Sequence, residues 1–218
     1  DTLDGLELIN LYRNYIKEPS SEDLSKILLH NGDDIKGMLC CLELLSLGDF
    51  EMRIENMKVI KAYAKRFEDL HGKVNSELYM EAELDYGFPV NIDSGIDSCF
   101  MQIKERRVIL RMPLYDKELK YFYSNWRDYY YLPDEDTALH KSVAEYVLRS
   151  NRMKASASNC YTKKRGVFLK KWELIAEPCF KESYNGKDMY FEVTDDVKKN
   201  RRLLSSYAVH IVRHIMRA

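Results

Sequence analysis

The sequence predicts an α+β fold, with N-terminal helices followed by a mixed, mainly antiparallel sheet and two further helices. Three observations predict it. Leu3, Leu6, Ile9, Tyr12, Tyr15 and Ile16 recur at helical spacing near the start. Leu78, Met80, Ala82 and Leu84 alternate with charged residues further on, as one face of a strand does. Leu203, Leu204, Tyr207, Ile211, Val212 and Ile215 restore the helical period at the end.

Taken in order, the first helix stops before Pro19, whose ring disfavours helical geometry in the residue preceding it. Ser20 or Ser21, followed by Glu22 and Asp23, caps a second helix through Leu24, Ile27 and Leu28. Asn31-Gly32 weakens that helix before Ile35, Met38, Leu39, Leu42 and Leu45 resume it toward Gly48, as one bent helix or two stacked end to end. Residues 53–64 fit either period, and strand is preferred. Phe100, Met101 and Ile103 are expected to form a hairpin with Val108, Leu110 and Met112 across Lys104-Glu105-Arg106-Arg107. Leu119, Tyr121 and Tyr123 read as another strand. Pro133 with Asp134, Glu135 and Asp136 should open a helix through Leu139, Val143, Tyr146 and Val147. Lys163 to Gly166 and Asn185-Gly186 are expected to be hairpin turns.

Composition narrows the function classes. A chain of 218 residues, 45% hydrophobic, can bury a core, and no apolar run approaches the ~18 residues of a membrane span. No secretion signal is visible, and the opening on Asp1 without methionine reads as a piece of a longer protein. Five cysteines without Cys-x-x-Cys spacing read as reduced thiols of a cytoplasmic protein. Charge is polarised: residues 1–60 carry a net -6 and residues 137–218 a net +9, so the C-terminal part could face a polyanion.

The run from Leu28 to Met38, holding His30 and Asp34, resembles the last motif of the ribonuclease-H-like exonucleases of the YprB type, within the DEDD superfamily. The flanking helices, residues 7–12 and 38–47, look like this family too, as do the strings Tyr129 to Pro133, Asp136 to Ala144 and Asn159 to Lys164. The resemblance implies that residues 1–50 are the C-terminal helices of a ribonuclease-H-like domain and 51–218 an α+β C-terminal extension. It implies that His30 orients a water and that Asp34 ligates magnesium or manganese in the intact protein. Residues four apart share a helix face, so one turn can serve both roles; capping of the resumed helix by Asp33-Asp34 is the structural alternative. The family's Asp-x-Glu strand and second acidic motif should precede His30. Only a helix does, in which Asp1, Asp4 and Glu7 have the wrong spacing. One carboxylate cannot build a two-metal site, so this fragment is expected to bind no metal pair and to be inactive until the missing N-terminal part of the same protein is supplied.

A second class is a non-catalytic nucleic-acid or protein interaction module. Arg149, Arg152, Lys154, Lys163, Lys164, Arg165, Lys170 and Lys171 occur without an intervening acid and are interleaved with Tyr161, Phe168 and Trp172. Cations neutralise phosphates and aromatics stack bases, in DNA or RNA. A solvated hairpin with inward aromatics gives the same pattern. His210 and His214 have the spacing of a metal face, but a surface pair is preferred, since no third ligand is evident. The aromatics from Tyr121 to Tyr131 read as core and rim packing. No Gly-x-Ser-x-Gly elbow occurs, and no cysteine has an evident histidine partner.

Overall fold

The computed structural model describes residues 3–45, 48–68 and 70–217. Asp1 and Leu47, which figure in the sequence reading, lie outside the described residues.

α1 (Gly5–Lys17) opens with a reciprocal cap. The Asp4 carboxylate accepts from the Leu6 and Glu7 N–H groups at 2.8 Å, and Glu7 accepts from the Asp4 N–H at 2.9 Å. α2 (Ser21–Leu45) is capped by Ser20, whose Oγ accepts from the Asp23 N–H at 3.0 Å. It is one continuous helix through Asn31-Gly32, since each of its two glycines, Gly32 and Gly37, costs only about 1 kcal/mol against the rest of a long helix. α3 (Phe50–Glu55) corrects the strand expected from residue 53: Phe50 and Ile54, one turn apart, both enter the core, and the strand starts only at Lys58.

The main sheet is a six-stranded antiparallel array in the order β1 (Lys58–Glu68), β2 (Val74–Ile96), β3 (Cys99–Phe122), β7 (Tyr161–Lys171), β9 (Met189–Glu192), β8 (Phe180–Lys181). Its first turn is not at Lys104–Arg107. Asp97 and Ser98, both with positive φ, form the two-residue loop that the twist of a hairpin favours. β3 then runs through the polar stretch, with Glu105 at φ 50° and register shifts opposite it. That irregularity moves the buried side chains from odd positions, Met101 and Ile103, to even ones, Val108, Leu110 and Met112.

Two further expectations fail. Pro133 to Asp136 form the turn between β4 (Tyr129–Leu132) and β5 (Thr137–His140); these strands and β6 (Met153–Lys154) make a small second sheet. Helix is confined to the single turn α4 (Lys141–Ala144). Lys163 to Gly166 lie inside β7, where Glu118 opposes Arg165 and Leu119 opposes Lys164 on β3. Asn185-Gly186 does fall in the connection between β8 and β9.

α5 (Asp195–Lys199) and α6 (Arg201–Met216) close the chain. The Asn200 side chain caps α6 by accepting from the Leu203 N–H at 3.0 Å. α6 lays Leu204, Tyr207, Ala208, Ile211, Val212 and Ile215 against Met80, Leu84, Met101, Leu110 and their neighbours, forming the main core. Each fully buried large apolar side chain stabilises the fold by about 1.5–3 kcal/mol. By contrast, neither α1 nor α2 contains a buried residue. Among the described residues no helix is long and apolar enough to cross a membrane.

Candidate functional site

The helical period of α2 sets His30 and Asp34 one turn apart on a common face. His30 Nε2 lies 3.5 Å from Asp34 Oδ2; the imidazole is 19% exposed and the carboxylate 64%. Both line a groove of about 570 Å³ between α1 and α2, together with Leu8, Tyr12, Arg13 and Ile27. The pair is therefore on one face and borders a concavity, with the apolar side chains of α1 for its far wall. Asp33 points elsewhere and pairs with Lys36 at 3.3 Å.

This arrangement offers one carboxylate and one imidazole. Among the described residues no group of three or more His, Cys, Asp or Glu side chains is placed to hold a metal ion. Asp34 alone does not make a cage for two divalent cations, and no chemical step through magnesium or manganese follows from the residues present.

The basic stretch is largely consumed by the fold. Lys163 Nζ is 2.9 Å from Asp136, Lys164 2.6 Å from Glu192, Arg165 3.1 Å from Asp116 and Lys170 2.9 Å from Asp188. Lys171 is buried and donates to the Ala176 carbonyl. Arg152 lies 4.9 Å from the Tyr130 ring centroid and donates to the Ala144 carbonyl. Tyr161 is buried, with its hydroxyl given to Asp136 at 2.5 Å. Of the residues nominated for nucleic acid, Lys163, Lys164 and Arg165 stay exposed within their pairs, and Lys154, exposed on β6 opposite Tyr130, has no ion pair with any described residue. The acids that pair with these lysines come from other strands and loops, so a local charge count could not show them.

Asp136 is the focus of that network, with φ 49° at the end of the β4–β5 turn. The Tyr131 hydroxyl, the Tyr161 hydroxyl and the Lys163 ammonium hold its carboxyl far below the usual carboxylate range, and the same bond pushes the Tyr131 hydroxyl well up. The knot ties the small sheet to β7. Tyr123, Trp126, Tyr129 and Tyr131 pack around Ala138, Ala155 and Cys160 beside it, which is the core-and-rim role expected of these aromatics.

His210 and His214 are not a surface pair. His210 is 5% exposed, and its Nε2 accepts from the Trp172 N–H at 3.0 Å. His214 stacks on the Trp172 ring with centroids 3.6 Å apart, and its Nε2 is 3.4 Å from Asp97. Burial lowers the His210 pKa to about 4. The ring is a neutral acceptor that fixes the end of β7 onto α6. Its partner is a backbone group 38 positions away, which no spacing rule reveals.

No family model matches the chain, and neither a curated protein nor a solved structure matches it.

Proposed function

We propose that the chain is the C-terminal part of a ribonuclease-H-like, metal-dependent exonuclease-type protein acting on nucleic acid. Residues 1–50 are then closing helices of the nuclease domain and residues 51–218 an α+β extension to it. The observation that carries this reading is the uncovered apolar surface of α1 and α2, with Ile9, Tyr12 and Ile16 beside the His30–Asp34 pair and Leu28 and Leu39 on the other side of α2. Leu28, Leu39, Leu42 and Leu45 are each more than half exposed, as are Leu6 and Ile16. Exposed apolar surface of this kind suits a docking face, and covering what is still exposed of each side chain would contribute at most about 1.5–3 kcal/mol. On this reading the rest of the nuclease domain covers these helices and brings the carboxylates that Asp34 lacks. His30 is the water-orienting residue and Asp34 one metal ligand of the completed site. A cytoplasmic location fits the five free thiols.

The test is cleavage of labelled single-stranded and duplex oligonucleotides by the longer protein with magnesium or manganese. Asp34→Asn should abolish it, with the helices still folded by circular dichroism; undiminished cleavage rejects the assignment.

The same uncovered helices also favour a second reading, a non-catalytic module that docks a protein through α1 and α2. It predicts that the longer protein has no metal-dependent cleavage at all and that Leu39→Lys disrupts assembly.

A further inference from the structure

Lys163, Lys164 and Lys170 of β7 are ion-paired across the fold, and so are Lys198, with Asp195 at 2.8 Å, and Lys58, with Asp85 at 3.7 Å; Arg66, Arg201 and Arg202 are not. The junction of α5 and α6 reads Lys198-Lys199-Asn200-Arg201-Arg202, and edge strand β1 lies against it, where the Val59 N–H donates to Ser205 Oγ at 3.0 Å. Two clefts open along this edge. The larger, about 840 Å³, is lined by Lys58, Arg201, Arg202, Ser205, Ser206 and Arg213 among others. Its carboxylates are already engaged, Glu55 by Arg213 at 3.2 Å and Glu173 by Arg217 at 3.7 Å. The smaller, about 390 Å³, combines exposed Arg66, and Lys198 in its pair with Asp195, with buried Leu78, Leu169 and Leu204. Its one carboxylate, Asp116, is held by Arg165 at 3.1 Å.

Arg66, Arg201 and Arg202 are exposed and form no ion pair with any described residue. Guanidinium groups bind phosphate oxygens in a two-pronged geometry that ammonium groups lack. We propose that this edge, with Arg66, Arg201 and Arg202 as its phosphate-binding groups, seats the backbone of a nucleic-acid strand. The choice of nucleic acid among polyanions rests on the function proposed above; the cationic clefts do not. A lipid surface fits less well, because the apolar residues of the clefts, Leu78, Leu169 and Val209, are buried rather than projecting.

Binding of a fluorescent single-stranded DNA of about twenty nucleotides, followed by anisotropy in EDTA, tests this without any metal. Three arginines neutralising about three phosphates give a slope of log affinity against log salt near -2. Affinity should then fall about twentyfold between about 50 and 200 mM salt. Arg201→Gln with Arg202→Gln should weaken low-salt binding about tenfold and flatten the slope to about -1, and Arg66→Gln should do so in part. Lys164→Gln with Arg165→Gln, on paired cations, should change affinity less than about twofold. Absence of binding at low salt, equal losses from the two double variants, or equally tight binding to anionic phospholipid vesicles would each overturn the proposal. Such a failure leaves the nuclease reading standing, because that reading is judged by cleavage and by Asp34.

Discussion

Acidification should loosen the fold through His210, and the size of the effect can be worked from its surroundings. The ring is 5% exposed and uses Nε2 to accept from the Trp172 N–H. Protonation would turn that acceptor into a donor facing a donor and would bury a charge. Burial is the largest cause of the lowered pKa; His214, Arg213 and Lys171 add to it, and Glu173 opposes them. With the folded-state pKa at about 4 and an ordinary value of 6.5 in the unfolded chain, the unfolded state binds more protons between these limits. The stabilisation is therefore fully present above pH ~6.5 and is lost as pH falls toward ~4, to a limit of about 3 kcal/mol. At pH 5 the loss is about 2 kcal/mol, or roughly 4–8 °C in Tm for a chain of this size.

Carboxylates titrate nearby, so the assay is a difference. Thermal unfolding of wild type and His210→Gln should be followed between pH 7.5 and 5, since glutamine can accept from Trp172 without titrating in that range. The pH-dependent loss should be smaller in the variant by about 2 kcal/mol. Equal pH dependence in the two proteins, or an imidazole that titrates by NMR at or above pH 6.5, would refute the account of His210.

Other predictions follow from the same geometry. Glu105→Gly should hold or raise stability, by up to about 1 kcal/mol, because φ 50° suits glycine, whereas Glu105→Val should lower it; chemical denaturation measures both. Asp136→Ala should cost about 2–3 kcal/mol in urea unfolding by removing the acceptor that the Tyr131 and Tyr161 hydroxyls and the Lys163 ammonium share, and Tyr161→Phe should recover part of that loss in the double variant. Hydrogen exchange should be fast in α1 and α2 and slow in α6, since burial protects only the last; equal protection would show that the helical hairpin shares the core of the sheet.

Local chemistry made the first part of the fold legible. Ser20 caps the second helix, Pro19 separates it from the first, and Leu78 to Leu84 lie on the buried face that their alternation implied, whereas Asp4, read as part of the first helix, is its cap. What stayed hidden depended on partners distant in sequence. The shift from Met101 and Ile103 to Val108 and Leu110 reads as two strands when alternation is assumed unbroken, yet one positive φ at Glu105 restores the phase within a single strand. Asp134 to Asp136 resemble a helix start until Tyr161 and Lys163, 25 and 27 positions on, claim Asp136 for a turn. The basic run of β7 was visible as composition, but Asp116, Asp188 and Glu192 cancel it only once the sheet forms. The His30–Asp34 face was legible because both residues belong to one helix turn. The clefts beside Arg66 and Arg201 were not, because β1 and α6 meet across more than a hundred residues.

The measurement that bears most directly on the central claim is metal-dependent cleavage by the longer protein carrying Asp34→Asn, assayed beside the unaltered protein. The unaltered protein should release nucleotides only with magnesium or manganese, and the variant should lose at least about a hundredfold of that rate with α2 still helical. Cleavage at the unaltered rate in the variant would contradict that claim.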